Sequence, residues 1–421
     1  MKLTPQGSLR RNVGWMFIGQ GIGYFLRLVY FILIARLLGV VQYGIVIGAY
    51  ALVNMVAQYS RLGTGMVFLR YVSADHKAFS VYWGNLLLVT ATTSGLLIAL
   101  LHFIAPHLID PASAGIIVLT AIGSCVCEQL TISATQAFQA FERMRVTALL
   151  NLLTSLARAV AAGAMLAALH HATARQWALT SMLVSVLVTI VALGTVTIQL
   201  GLPEVSLHLL RKRGPEGVEY AFASSTTMAY DDLDKAMLSH YGMNAAVGVY
   251  AMAYRIIEMA TMPIASLQLA AEPRLFKLGA SGLDQAADLG RRLLSKAVLV
   301  SLGVSVVLFV CTPAIPLLVG HGFQEGVSAL RWLCLIPAFR SVHYITGSIL
   351  TCAGLQRYRT LTQMAAALLN FGINLWLIPR YGWLGAAWAS LFTDLTLGLM
   401  NWSVLNLTLR KRASRLNAEY R

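Results

Sequence analysis

The sequence predicts an all-α, polytopic membrane protein of about twelve transmembrane helices, in two pseudo-symmetric six-helix bundles around a central cavity. Three observations carry this expectation. The chain contains long windows without charge, its cations gather on one side of those windows, and its two halves share a repeat.

Charged residues make up 12% of the 421 residues and hydrophobic ones 57%, where soluble domains carry roughly 25% charged. The mean hydropathy is +0.69. Windows such as WALTSMLVSVLVTIVALGTVTIQL (177–200) and AVLVSLGVSVVLFVCTPAIPLLV (297–319) are long enough to cross a hydrocarbon core of ~30 Å as helix. A transmembrane β-barrel would show short alternating strands instead. The expected spans are 13–37, 44–68, 81–104, 113–137, 146–169, 177–200, 218–240, 245–270, 297–319, 327–353, 358–379 and 383–407. The apolar run after MKLTPQGSLRR is too long for the core of a signal peptide and lacks a small-residue cleavage site, so the first helix is expected to remain as an anchor.

The net charge of +15 would suit nucleic acid, but its placement points elsewhere. Arg10 and Arg11, Arg143 and Arg145, Arg211 to Arg213, Arg291, Arg292 and Lys296, and Arg410 to Arg412 all fall on one side of the spans. The opposite loops carry Arg36, Arg175 and Arg380. Such asymmetry marks the cytoplasmic side, so both termini are expected there. No nucleic-acid partner is expected.

Gly44 and Gly248, Tyr50 and Tyr254, and Arg70 and Arg274 pair at one offset of 204 residues. The segments YGIVIGAYALV and VGVYAMAYRII both enter a span from an outer turn. The expected organisation is a six-helix lobe over 1–200, a cytoplasmic linker over 201–217 and a second six-helix lobe over 218–421. Sites in proteins built from such repeats lie between the halves, near the midplane.

Charges inside the spans are the candidate functional residues, because an unpaired charge at bilayer depth is costly. Gln20, Tyr24 and Arg27 share one helix face at i, i+4 and i+7, as do Asn54, Gln58 and Arg61. Arg27, Arg158, Arg255 and Arg340 are the candidate substrate-binding cations. Glu258 lies one turn from Arg255 and is read as its structural partner. Glu128, Asp231, Asp234 and Asp394 are the candidate ion-coupling acids. In TMAYDDLDKAMLSHYG (227–242), Thr227, Asp231 and Asp234 share a face, and Lys235 stands four residues beyond Asp231 in the favourable acid-first order. This stretch is read as the outer half of the seventh span, with Asp231 and Asp234 sharing H⁺ or Na⁺, or else serving the fold alone.

No metal or organic cofactor is expected. The five cysteines sit in apolar spans, and Cys125 and Cys127 lack the spacing and partner ligands of a zinc site. His102, His107, His170, His171, His240 and His321 gather near outer span ends, where filling the interface is the plain reading and pH sensing the other.

ARLLGVVQYGIVIGAYALV (35–53) resembles the first extracytoplasmic turn of bacterial polysaccharide flippases in the multidrug/oligosaccharidyl-lipid/polysaccharide exporter superfamily. DKAMLSHYGMNAAVGVYAMAYRI (234–256) is similar to the turn between that family's seventh and eighth spans, and IPRYGWLGAAWASL (378–391) to its penultimate turn. The resemblance covers nearly the whole chain and places no individual arginine as a ligand. It implies two six-helix bundles around a cavity, and transfer of an undecaprenyl-pyrophosphate-linked oligosaccharide from the cytoplasmic to the periplasmic leaflet. The related lipid II flippases have two further C-terminal spans, so ending after twelve favours the O-antigen, capsule or exopolysaccharide pathways. Membrane lipids, a polysaccharide polymerase and export machinery are the implied partners.

Two other classes compete. A small-molecule or multidrug cation antiporter on the same plan would want an acidic or apolar cavity, which the mid-span arginines do not offer. A membrane enzyme such as a polymerase or ligase would want large periplasmic loops and a nucleophile motif. The outer loops here are short, so no enzymatic activity is expected.

Overall fold

The computed structural model describes residues 9–281 and 283–419, with the backbone alone described at 9–19, 219, 222–230, 269, 270, 272, 273, 276, 279–281, 283–286 and 411–419. The side chains of Arg10, Arg11, Thr227, Lys411 and Arg412 therefore lie outside the described set. The elements are helical throughout the described residues. In chain order they are α1 (Leu9–Ala57), α2 (Thr64–Ala74), α3 (Phe79–Leu108), α4 (Pro111–Ala114), α5 (Ile117–Ala121), α6 (Gln129–Ala140), α7 (Met144–Leu169) and α8 (Ala174–Leu200). They continue with α9 (Leu207–His240), α10 (Asn244–Ser281), α11 (Leu283–Cys311), α12 (Ile315–Val319), α13 (Glu325–Leu333), α14 (Ile336–Cys352), α15 (Gln356–Tyr381) and α16 (Trp383–Glu419).

Eight stretches among the described residues are long and apolar enough to cross a membrane. The first, Gln20–Arg61, has 42 residues. As helix it would measure about 63 Å, twice the hydrocarbon thickness. It is broken at Gly39, whose φ of 65° and ψ of 174° lie outside the helical region and suit a residue without Cβ. One apolar run therefore supplies two passages. The long helices α9, α10 and α16 stand outside the eight stretches. α9 carries Asp231, Asp232, Asp234 and Lys235, which dilute its hydropathy.

Four expected spans differ in detail, the ninth by a 3-10 turn at Thr312–Ala314 between α11 and α12. The second does not run unbroken to 68: a 3-10 turn at Gln58–Arg61 leads to Leu62 in the left-handed region, and α2 starts afresh. The fourth contains a π-helical segment at Ile122–Glu128 between α5 and α6. The tenth is split into α13 and α14, with Pro337 in the first turn of α14, where a missing N–H costs no intrahelical bond.

The chain forms two compact units, residues 1–248 and 249–421. The first unit thus includes α9 and the start of α10. Its core is built from small, branched and aromatic residues. One cluster gathers Ala49, Val53, Leu101, Ile117 and Ala121, and another Phe68, Phe79, Trp83, Leu86 and Phe138. At one end of this unit the turns are tied together. Ala172 N–H donates to the Leu37 carbonyl at 3.0 Å, Asp110 N–H to that of Ser239 at 3.0 Å, and the Asn244 amide to Asp110 Oδ2 at 3.0 Å. At the other end, Asn85 and Ser206 exchange two hydrogen bonds, and Arg70 Nη1 reaches Glu216 Oε1 at 2.7 Å. That bond and the charge of Glu216 raise the pKa of Arg70 above its ordinary value. The core of the second unit gathers Leu275, Ala297, Ile345, Ile349, Leu350 and Leu405 from α10, α11, α14 and α16.

Candidate functional site

In the first unit the polar stripe of α1 meets a matching stripe on α7. Gln20, Tyr24 and Arg27 recur at helical spacing, and so do Asn151, Ser155 and Arg158. Gln20, Gly23, Tyr24 and Arg27 line a cavity of about 170 Å³ with Ala148, Asn151 and Ser155. The Arg27 guanidinium is exposed and lies 5.7 Å from the centre of the Tyr24 ring, within cation–π range. The cavity therefore offers one fixed cation, an aromatic face and amide and hydroxyl groups.

One turn beyond Ser155, Arg158 points at the π-helical segment. Its Nη2 stands 3.6 Å from Glu128 Oε2, with both side chains half-buried. The widened turn holds Glu128, and π segments often mark functional positions. The phenols of Tyr30 and Tyr50 also interact with Arg158.

Farther along α1, the Asn54 amide donates to Asp232 Oδ2 on α9. Asp232 Oδ1 accepts from Lys235 Nζ at 2.8 Å, and Lys235 also donates to the backbone carbonyl of Asp231 at 2.7 Å. Asp232, Asp234 and Lys235 are all buried. Sequence spacing drew attention to Asp231 as the partner of Lys235 and passed over Asp232. The i, i+3 spacing of Asp232 was an equal signal. Arg61, at the end of the Asn54 stripe, donates to Gln136 Oε1 at 2.8 Å.

The other two candidate arginines belong to the second unit. Arg255 is exposed and pairs with Glu258 at 2.9 Å, the partner its spacing predicts. Arg340, expected to line a cavity, is instead buried: its Nε lies 3.4 Å from Asp394 Oδ2 and its Nη2 donates to the Tyr254 hydroxyl. Sequence reasoning could not foresee this because Arg340, Asp394 and Tyr254 are far apart in the chain. His343, which it did not single out, reaches within 3.7 Å of Asp394 Oδ1.

A family model described as "Polysaccharide biosynthesis protein" matches residues 9–278. The chain belongs to this family. A second family model, MatE, matches residues 220–376. Among solved structures, the inward-facing conformation of a multidrug resistance MATE family transporter of the MOP superfamily aligns with a TM-score of 0.73 at 13% identity, covering 92% of this chain and 96% of that one. Lipid II flippase MurJ in its inward closed conformation aligns with a TM-score of 0.72 at 13% identity, covering 92% and 86%. A MOP superfamily transporter from Pyrococcus furiosus with a binding pocket of reverse polarity aligns with a TM-score of 0.62 at 13% identity, over 93% of this chain and 94% of that one. No curated protein matches the chain. The polysaccharide biosynthesis chain is thus a multi-pass membrane protein with the MOP-superfamily fold, as the sequence predicts.

Proposed function

We propose that this protein is a flippase that moves an undecaprenyl-pyrophosphate-linked oligosaccharide from the cytoplasmic to the periplasmic leaflet of a bacterial inner membrane, with both termini cytoplasmic. The observation that carries this reading is the cavity between α1 and α7, lined by Arg27, Tyr24, Gln20 and Asn151. A pyrophosphate is a dense anion, and the guanidinium fork stays charged and matches phosphate oxygens. Tyrosine, glutamine and asparagine offer the stacking face and hydrogen bonds a sugar requires. The lipid tail can stay in the bilayer beside the open side of such a cavity. Arg158, held by Glu128, is a second cation within reach as the substrate advances along α7. Family membership supports a role in polysaccharide assembly, with a polymerase and export machinery as downstream partners. The multidrug-cation reading is weaker, since an exposed arginine repels a cationic drug.

The test is transfer of a fluorescent polyprenyl-pyrophosphate oligosaccharide across vesicles holding the purified protein. Arg27→Ala is expected to reduce the rate at least tenfold, with Arg27→Lys recovering part of it because ammonium lacks the planar fork. Full-rate transfer by Arg27→Ala would remove this reading, and efflux of cationic dyes by the parent protein would favour the alternative.

A further inference from the structure

At the end of the first unit where Arg70 meets Glu216, α2, α3 and the first turns of α9 enclose a narrow cleft. It is separate from the cavity between α1 and α7 and is lined by Thr64, Tyr82, Asn85, Leu209 and Arg213. Asn85 is held by Ser206, and the Thr64 hydroxyl donates to the Arg61 carbonyl at 2.7 Å. Arg213 carries an unmet donor: its Nε is shut away from solvent and has no hydrogen-bond partner. The guanidinium lies 4.3 Å from the centre of the Tyr71 ring, which stacks on Tyr82 at 5.4 Å. The Tyr82 phenol interacts with Arg213 as well. A ring against the face of a guanidinium leaves the N–H groups at its edge for an acceptor.

The neighbouring arginine shows what the cleft lacks. Arg70 has its counter-charge in Glu216 at 2.7 Å, and the Tyr71 hydroxyl donates to the same carboxylate at 3.1 Å. Arg213, one turn before Glu216, forms no ion pair among the described residues. A guanidinium keeps its charge in proteins, and a buried donor without an acceptor is costly. The cleft therefore suits an oxyanion. Its volume of about 20 Å³ is on the order of one water-sized atom. A single phosphate oxygen fits there, whereas a sugar ring or a nucleotide base does not.

The chain beside the cleft shows where that phosphate comes from. Leu202, Val205 and Leu207, between the end of α8 and the start of α9, are 71%, 57% and 62% exposed. Arg211 and Lys212 are exposed close by. Bared apolar side chains next to cations suit the boundary between acyl chains and headgroups. Positive charge at one end of the spans is a general topology signal. A cation turned inward, stacked on a ring and left without an acceptor goes beyond it.

We propose that this cleft binds the phosphate of an anionic phospholipid, with Arg213 as its ligand and Leu202, Val205 and Leu207 seated among the acyl chains. Arg211 and Lys212 draw anionic headgroups to the surface, and the basic pocket between membrane helices holds one of them. The bound phosphate completes the Arg213 fork and pins the start of α9 against α2 and α3. Its assignment to the cytoplasmic leaflet rests on the orientation proposed above; the binding itself does not.

The test titrates dioctanoyl phosphatidylglycerol into the full-length protein in detergent, with bound lipid read by native mass spectrometry and the melting temperature alongside. Arg213→Gln is expected to weaken binding about fivefold, the worth of one cation at an anionic lipid surface. Arg213→Lys should fall between it and the parent, because ammonium lacks the fork. Arg211→Gln, outside the cleft, should hardly change binding; equal losses in Arg211→Gln and Arg213→Gln would mean diffuse attraction and overturn the site. Dioctanoyl phosphatidylcholine should bind far more weakly, and equal binding would overturn recognition of charge. Inorganic phosphate that raises the melting temperature as much as phosphatidylglycerol does would make this a site for soluble anions. A short-chain polyprenyl pyrophosphate that displaces the phospholipid would make it an entry point for substrate; either result overturns the lipid assignment. A check on the parent protein needs no variant to fold: phosphatidylglycerol with a photoreactive acyl chain should label residues 202–207 more than its phosphatidylcholine counterpart. Equal labelling sinks the proposal. Should the parent fail to move polyprenyl pyrophosphates in vesicles, the flippase reading falls, while the lipid titrations still decide this site.

Discussion

Gly44 and Gly248 pack against one another reciprocally. A Cβ on Gly44 would overlap the backbone carbonyl of Asn244, and one on Gly248 would overlap that of Val40. Asn244 follows Val40 by the same 204 residues that separate the two glycines. The contact is therefore isologous: each segment offers the other the same residue position, as a local twofold requires. The offset seen in the sequence reappears as a physical contact, and it explains why both positions lack a side chain.

Alanine at either glycine is expected to destabilise the protein by about 1–3 kcal/mol, the range for overpacking a filled interior. Backbone atoms oppose the new methyl, so no side chain can swing away. Gly21→Ala is the control, because nothing lies within 4 Å of a Cβ there. Thermal unfolding in detergent should show a clear fall for Gly44→Ala and Gly248→Ala and none for Gly21→Ala. Equal melting of all four proteins would mean that the contact is looser than described.

The buried pair on α9 makes a second prediction. Asp232 and Lys235 have side-chain exposures of 11% and 8%. Removing one partner of a buried pair strands a charge, at a cost of about 3–5 kcal/mol. Asp232→Asn and Lys235→Met should each fall in that range, while the double variant should cost less than either alone. Asn54→Leu should cost about 1.5–3 kcal/mol, because it takes a hydrogen bond from a charged acceptor. Strict additivity in the double variant would show that the two side chains do not rely on each other.

These two regions show what could be read from the chain alone. Helical class and spans followed from charge-free windows, since a bilayer leaves a polypeptide few ways to satisfy its backbone. The stripe Gln20, Tyr24, Arg27 was legible because periodicity is local, and the structure sets it against α7. Partners across helices were not legible. Nothing in the spacing of Arg340 announces Asp394 or Tyr254, and the acidic run on α9 offered Lys235 two partners at helical spacing. The break after Arg61 was less plain: Leu62 in the left-handed region is a tertiary choice, and Gly63, also at positive φ, is its one local signal.

The exposed ion pair of Arg255 and Glu258 invites a contrast with Arg27. Both arginines are exposed, but Arg255 already holds a carboxylate at 2.9 Å, whereas Arg27 faces an aromatic ring and a cavity. A short-chain polyprenyl pyrophosphate added to the detergent-solubilised protein should therefore raise its melting temperature in Arg255→Ala as in the parent, and hardly at all in Arg27→Ala. Loss of the effect in Arg255→Ala alone would move the anion site to the second unit.

Glu128 restrains Arg158, and this yields a prediction opposite in sign to the others. The carboxylate stands 3.6 Å from the guanidinium, close enough to offset its charge and too far for a strong hydrogen bond. An arriving pyrophosphate competes with Glu128 for Arg158. Glu128→Gln keeps the size of the side chain and removes its charge, so the arginine is freed toward the anion. Affinity for a short-chain polyprenyl pyrophosphate should rise about tenfold, equivalent to about 1.4 kcal/mol, while vesicle transfer slows because the product leaves less readily. Calorimetric titrations of the parent and the variant, paired with transfer rates, decide the matter. Weaker binding by Glu128→Gln would mean that Glu128 positions Arg158 for the substrate instead of competing with it.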